Sequence, residues 1–151
     1  MPPILISSDP ALLDLDAIFA FLSTCYWSPG IARSRLERAI AHSLCFAAYD
    51  TTQARATGST LPALVGFARV VTDHATFAYL CDVFVLDSHR GRGISKDLMR
   101  TILADPRLQG LRRFSLMTRD AQGLYSQFGF TNEPDPSRAM SRRDTELYKR
   151  D

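Results

Sequence analysis

The strand-like run that ends in Leu86-Asp87-Ser88-His89-Arg90-Gly91-Arg92-Gly93 and continues as Ile94-Ser95-Lys96-Asp97-Leu98-Met99 gathers hydrogen-bond donors at one point. Glycines let a backbone approach a ligand without a Cβ in the way. The helix that follows opens with unpaired N–H groups and the positive end of its dipole. Together these features make a site for a phosphate or pyrophosphate. The same residues also fit a plain glycine turn that caps a helix. A second anomaly lies just upstream, where Asp82 interrupts the apolar run Thr76–Leu86. A carboxylate inside such a strand is costly unless it is paired or functional. Strict alternation places Asp82 and Phe84 on one face and Cys81, Val83 and Val85 on the other. Asp82 thus reads as a proton acceptor, a holder of an ammonium group, or an anchor for neighbouring backbone.

These residues need elements to hold them. Ile4-Leu5-Ile6 forms a short strand. Asp9-Pro10 caps and starts a helix over 10–24, with Leu12, Leu15, Ile18, Phe19 and Leu22 at three- and four-residue steps. Ser28-Pro29-Gly30 breaks it, and a second helix covers about 33–43. Strands at Leu44–Tyr49, Leu64–Val71 and Thr76–Leu86 follow, with a long hairpin loop over 51–62 and a short turn at Asp73-His74-Ala75. The helix after the glycine turn runs from Ile94 to Ala104 and stops at Asp105-Pro106. Arg113–Thr118 is another strand. Ala121–Phe128 is a short helix capped by Asp120 and ended by Gly129, and a last strand falls near Glu146–Tyr148. The order β-α-α-β-β-β-α-β-α-(β) predicts an α/β fold of the α+β type, a mixed and mostly antiparallel central sheet with helices on both faces.

The 151 residues are expected to form one domain, with a core over about 4–131 and a polar tail over 132–151. No run of about 18 apolar residues is present, so no membrane span is expected. The start, Met1-Pro2-Pro3-Ile4, lacks the pattern of a secretory signal. Cys25, Cys45 and Cys81 never stand as C-x-x-C and read as buried, reduced thiols of a cytoplasmic protein. The net charge of +2 is uneven. Residues 1–86 hold five Arg and Lys against seven Asp and Glu, and residues 87–151 hold thirteen against nine. The positive half is the one with the glycine turn, which fits an anionic ligand. The charge is too scattered to predict nucleic-acid binding. No metal-ligand spacing, Walker A sequence or G-x-S-x-G elbow occurs. His42 and His74 read as a helix end and a turn residue, while His89 lies in the glycine turn within reach of a phosphate.

Arg90-Gly91-Arg92-Gly93-Ile94-Ser95 resembles the R/Q-x-x-G-x-G/A signature of the Gcn5-related N-acetyltransferases (GNAT), with Ser95 where the family has Gly or Ala. Leu124-Tyr125-Ser126-Gln127-Phe128-Gly129-Phe130 resembles the family's Y-x-x-x-G-F segment. The two motifs stand about 30 residues apart with one strand between, as in the family. The resemblance spans about residues 4–131 and implies acetyl-coenzyme A as co-substrate, with no metal. Arg90, Gly91, Arg92, Gly93, Ile94 and Ser95 would surround its diphosphate. Main-chain groups of Phe84 and Val85 would pair with the pantetheine arm. Tyr125 matches the family's general acid, and Asp82 matches a strand position where an acidic residue often stands near the reacting centre. Tyr26, Trp27 and Arg33 fall in the region that often walls the acceptor pocket.

The resemblance implies an N-acetyltransferase that moves an acetyl group to a primary amine of a small molecule or peptide, by direct attack in a ternary complex. The alternative is a non-catalytic acyl-CoA-binding sensor or interaction module with the same fold. An exposed sheet edge would allow a homodimer.

Overall fold

The computed structural model describes residues 3–56 and 58–151. Five strands form one sheet in the order β1-β2-β3-β4-β5. They are β1 (Ile4–Ser7), β2 (Leu44–Ala54), β3 (Pro62–Thr72), β4 (Phe77–Val85) and β5 (Arg113–Leu116). The first four pair antiparallel, and β5 joins β4 in parallel. A parallel neighbour needs a crossover, which α3 (Ile94–Ala104) supplies. The expected mixed, mostly antiparallel sheet with helices on both faces is therefore present.

Each face of the sheet carries its own core. On one face α3 buries Ile94, Leu98, Met99 and Ile102 against Phe46, Val70 and Leu80. On the other, α1 (Leu15–Leu22) and α2 (Arg33–Ala41) bury Ile18, Leu22 and Leu36 against Tyr49, Phe67 and Phe84. Each fully buried aliphatic side chain contributes about 1.5–3 kcal/mol. Burial on both faces holds the three inner strands, β2, β3 and β4.

Several boundaries differ from the sequence expectation. The helix expected over 10–24 is a 3-10 turn, Pro10–Leu12, followed by α1. Leu13 is extended, and Asp14 starts a new helix by accepting from the Ala17 amide at 3.1 Å. A second N-cap inside an apolar-periodic run overrides the periodicity. The hairpin loop is shorter than 51–62, because β2 continues to Ala54, which pairs with Pro62. The helix expected over 121–128 is α4 (Gln122–Tyr125) plus a 3-10 turn. Asp120 does not cap it; Thr118 Oγ1 accepts from the Ala121 amide at 3.0 Å. Gly129 ends the segment in the left-handed region, as expected. The strand expected near Glu146–Tyr148 is instead the short helix α5 (Leu147–Arg150), whose Tyr148 packs into the core under α1 and α2.

The sheet opens where the site lies. The β4–β5 register ends at Leu80↔Leu116, yet β4 runs on to Val85. On its other edge β4 pairs Cys81 with Arg69 and Phe84 with Phe67. Two β4 residues thus oppose the single β3 residue Ala68, which is the count of a β-bulge. Asp82 takes a φ of +55° at this bulge. A non-glycine residue in the left-handed region costs about 1–2 kcal/mol. The bulge bends β4 away from β5 and leaves the Cys81–Val85 edge unpaired on the β5 side.

Candidate active site

β4 leads through Leu86 into a 3-10 turn, Asp87–His89, and then into Arg90-Gly91-Arg92-Gly93 ahead of α3. Gly91 and Gly93 have φ of +74° and +79°, a conformation that L side chains rarely adopt. A Cβ at either position would meet no atom within 4 Å, so the space above the turn is open. The amides of Gly91 to Lys96 donate to no acceptor among the described residues. The first partnered amide of the helix is that of Asp97, which donates to Gly93 O at 3.0 Å. The arginines fold back on the turn. Arg90 Nε donates to Val85 O at 3.2 Å and Arg90 Nη1 pairs with Asp87 at 2.9 Å, while Arg92 Nη2 donates to Ser88 O at 3.3 Å. The turn therefore offers an anion main-chain donors first and guanidinium charge second.

His89 does not face this space. It is buried, with Nε2 on Asp50 at 3.1 Å and Nδ1 on Ser88 Oγ at 2.8 Å. Its place in the glycine turn predicts reach to a phosphate; the ring instead points inward to a carboxylate on β2.

At the bulge, Asp82 lies between two donors. Arg69 Nε donates to Oδ2 at 2.7 Å and Trp27 Nε1 donates to Oδ1 at 3.1 Å. Asp82 and Phe84 share the face under α1 and α2, as alternation predicts. Cys81 does not fall opposite them. It stands across from Arg69 and shares its face, because the bulge breaks the period of two. Cys45 and Cys81 flank Arg69 on adjacent strands. Burial pushes their thiols up to about 11 and about 12 respectively, against the pull of Arg69. Neither is a thiolate at neutral pH, so neither is an activated nucleophile.

Trp27 carries the arrangement outward. Tyr26 meets its ring edge-on at 5.0 Å, and the Arg119 guanidinium lies 3.9 Å above the Tyr26 ring. Tyr26 is itself exposed. Tyr125 is buried on α4 against Phe130, with ring centroids 6.1 Å apart. Burial pushes its hydroxyl above the usual tyrosine value of 10.0, and Tyr26 adds to the shift. Tyr125 keeps its proton at neutral pH, and its hydroxyl has no hydrogen-bond partner among the described residues. It lines a cavity of about 1150 Å³ that also touches Phe114, Leu116, Met117, Thr118 and Phe130.

The fold thus links Tyr26, Trp27 and Asp82 by direct contact, while Tyr125 lines the cavity beside β5 and α4. Phe84, Val85 and residues 90–95 form the strand end and turn beside them. Arg33 is not brought there. It is held by Asp16 and Glu37 on the surface of α1 and α2, with its guanidinium 5.9 Å from the Phe19 ring. Sequence reasoning missed Arg69 and Arg119. Arg69 left a signal, since it interrupts the apolar β3 as Asp82 interrupts β4. Two opposite charges in successive strands of one hairpin invite a pairing test. Arg119 left none, because a lone arginine after a strand is ordinary.

Residues 41–132 match the Acetyltransferase (GNAT) domain family. A Gibberella zeae protein described as an acetyltransferase is 35% identical over 136 residues, covering 82% of this chain and 76% of its own length. The chloroplastic serotonin N-acetyltransferase 2 of rice (Oryza sativa subsp. japonica) is 31% identical over 114 residues, 75% of this chain and 54% of that protein. Among solved structures, a GNAT-family protein from Xanthomonas campestris pv. campestris superposes with a TM-score of 0.87 at 48% identity, over 98% of both chains. The family match, the two relatives and the shared five-strand architecture agree with the motifs at Arg90–Ser95 and Tyr125–Phe130: the chain belongs to the GNAT acetyltransferase family.

Proposed function

We propose that this acyltransferase moves an acetyl group from acetyl-CoA to a primary amine, by direct attack while both substrates are bound. The carrying observation is the row of unpartnered amides at Gly91–Lys96, set under open space at the end of a strand that diverges from its neighbour. That row fits a diphosphate. Gly91, Gly93, Ile94 and Ser95 hold it through main-chain N–H groups, and Arg90 and Arg92 add charge that salt screens. The register turns the Phe84 main chain toward Phe67 of β3, so Val85 is the one of the two whose main chain faces the open edge. There an extended arm takes the place of Arg90 Nε on Val85 O and pairs as an added strand would. When bound, acetyl-CoA supplies a thioester whose carbonyl an amine can attack and whose sulfur departs as a thiol with a pKa of about 8.5.

The residues divide the proton work. Tyr125, kept protonated by burial, donates to the departing sulfur. Asp82 supplies the negative charge that draws an ammonium group. Its lone pairs beyond those given to Arg69 and Trp27 accept the amine's proton, directly or through water. Tyr26 and Trp27 form an aromatic wall that suits the apolar part of an acceptor or its ammonium group. Arg33 has no part in this site. Three free thiols fit a reducing compartment such as the cytoplasm.

The test is thiol release from acetyl-CoA in the presence of a panel of amines. Amine-dependent release above the hydrolysis background is expected for at least one primary amine. Tight CoA binding with no release for any amine would leave a CoA-binding module without turnover, a reading that the double capping of Asp82 by Arg69 and Trp27 favours.

A further inference from the structure

Asp50 is the one carboxylate with no exposure in the described core, and nothing in the proposed reaction uses it. It sits near the outer end of β2, paired with Ile4 of β1 and Ala63 of β3. All its acceptor positions are engaged. Oδ1 accepts from the Thr52 amide at 2.9 Å and from Thr52 Oγ1 at 2.6 Å. Oδ2 accepts from Gln53 Nε2 at 3.0 Å and faces His89 Nε2 at 3.1 Å. An ionised carboxylate only accepts, so His89 Nε2 carries the hydrogen. In the neutral ring Nδ1 is then the acceptor, and Ser88 Oγ donates to it at 2.8 Å. The chain of bonds runs Ser88 to His89 to Asp50, from the exposed turn to the buried strand.

This chain of bonds is anchored far from the turn. The other bonds of residues 87–93 are local. His89 N reaches Leu86 O, Arg90 N reaches Asp87 O, Arg90 Nε reaches Val85 O and Arg92 Nη2 reaches Ser88 O, while Gly93 O accepts from Asp97. The main chain is tied to β3 at the entrance of the turn, where Leu86 N donates to Val65 O at 2.9 Å. Within residues 87–93, among the described residues, the His89–Asp50 bond is the one hydrogen bond to another strand of the sheet. The turn holds two glycines with positive φ and no neighbours above them, so its own backbone resists displacement weakly. Binding a diphosphate through several amides needs all of them aimed at once, and freedom in the turn is lost on binding.

We propose that His89 and Asp50 are positioning residues, which clamp the Asp87–Gly93 turn to β2 and pre-aim its amides at the diphosphate. The inference rests on the acetyl-CoA reading above and extends it to residues outside the ligand's reach. Neither side chain touches the ligand. Their effect is confined to the part of the co-substrate that the turn holds.

The test compares acetyl-CoA with S-acetylpantetheine, which carries the same thioester without the diphosphate and nucleotide. For His89→Ala, the ratio of kcat/KM for acetyl-CoA to that for S-acetylpantetheine should fall by roughly tenfold or more, and calorimetry should show CoA affinity reduced to match. His89→Gln keeps an N–H at the Nε2 position and should restore most of the ratio. Ser88→Ala is exposed and should fold normally; it removes the outer bond and should lower the ratio by about two- to threefold. A merely structural role would lower both kcat/KM values together and leave the ratio unmoved. An unchanged ratio in His89→Ala, or in Ser88→Ala if His89→Ala does not fold, overturns the proposal. Absence of any CoA binding by the unaltered protein would instead overturn the acetyl-CoA reading itself.

Discussion

Two side chains carry most of the proposed chemistry, and each makes a separable prediction. Tyr125→Phe removes the proton donor and keeps the ring packed on Phe130. The chemical step should slow by about a hundredfold, with CoA affinity changed little, as read by single-turnover kinetics and calorimetry. An acid must be protonated to work, and burial raises the Tyr125 hydroxyl above 10.0. The rate should therefore hold through neutral pH and fall only in alkali, in a limb that Tyr125→Phe lacks. Asp82 behaves differently because it is paired. Asp82→Ala strands Arg69, whose side chain keeps only 17% exposure, and should cost about 2–3 kcal/mol in urea unfolding. The double change Arg69→Met with Asp82→Leu should cost less than Asp82→Ala alone, since no charge is left unmatched. Equal losses would mean that the pair adds nothing beyond its packing.

Elements set where these side chains stand. The β4 bulge does two things at once: it turns Asp82 toward Trp27 and Arg69, and it parts β4 from β5. Gly66 of β3 lies under the same region. A Cβ there would come within 3.3 Å of Ala48 Cβ and of Phe84 O, and within 3.4 Å of Ile94 at the start of α3. Gly66→Ala should destabilise the protein by about 1–3 kcal/mol and shift the first turn of α3. Loss of CoA affinity by calorimetry should accompany the lower stability in urea. Full affinity in a destabilised variant would separate this packing from the ligand turn.

Across the molecule as a whole, the buried anchor under the turn links stability to acid. Hydrogen bonds from Thr52 and His89 hold the Asp50 carboxyl down to about 2, from an ordinary value of 3.8. A depressed folded pKa means that the stabilisation is complete above 3.8 and drains away as pH falls towards 2. Asp73 is depressed too, by bonds from Thr76 and two further amides, and it adds to the same acid limb. Asp50→Asn should flatten part of this limb in pH-dependent thermal unfolding, while leaving stability near neutrality lower. No change in the limb would remove Asp50 from the acid transition.

Much of this protein is legible in the order of its residues. The glycine turn, the helix Ile94–Ala104 and the strand ahead of them depend on local rules: dihedral freedom, capping and a period that a short window reveals. Asp82 and Arg69 each stand out as a charge in an apolar strand. Their union does not, because a single bulge residue sets the register between β3 and β4. The break inside residues 10–24, the helix at Tyr148 and the inward turn of His89 have other causes, a cap at Asp14 in the first and distant partners in the other two. In each, a partner distant in the chain, or a cap competing with periodicity, outweighs local preference. Residue order alone thus dictates the main helices and strands and marks where a diphosphate could rest. Which charges meet is settled by folding in three dimensions, because contacts between distant residues depend on register and packing that no local pattern encodes.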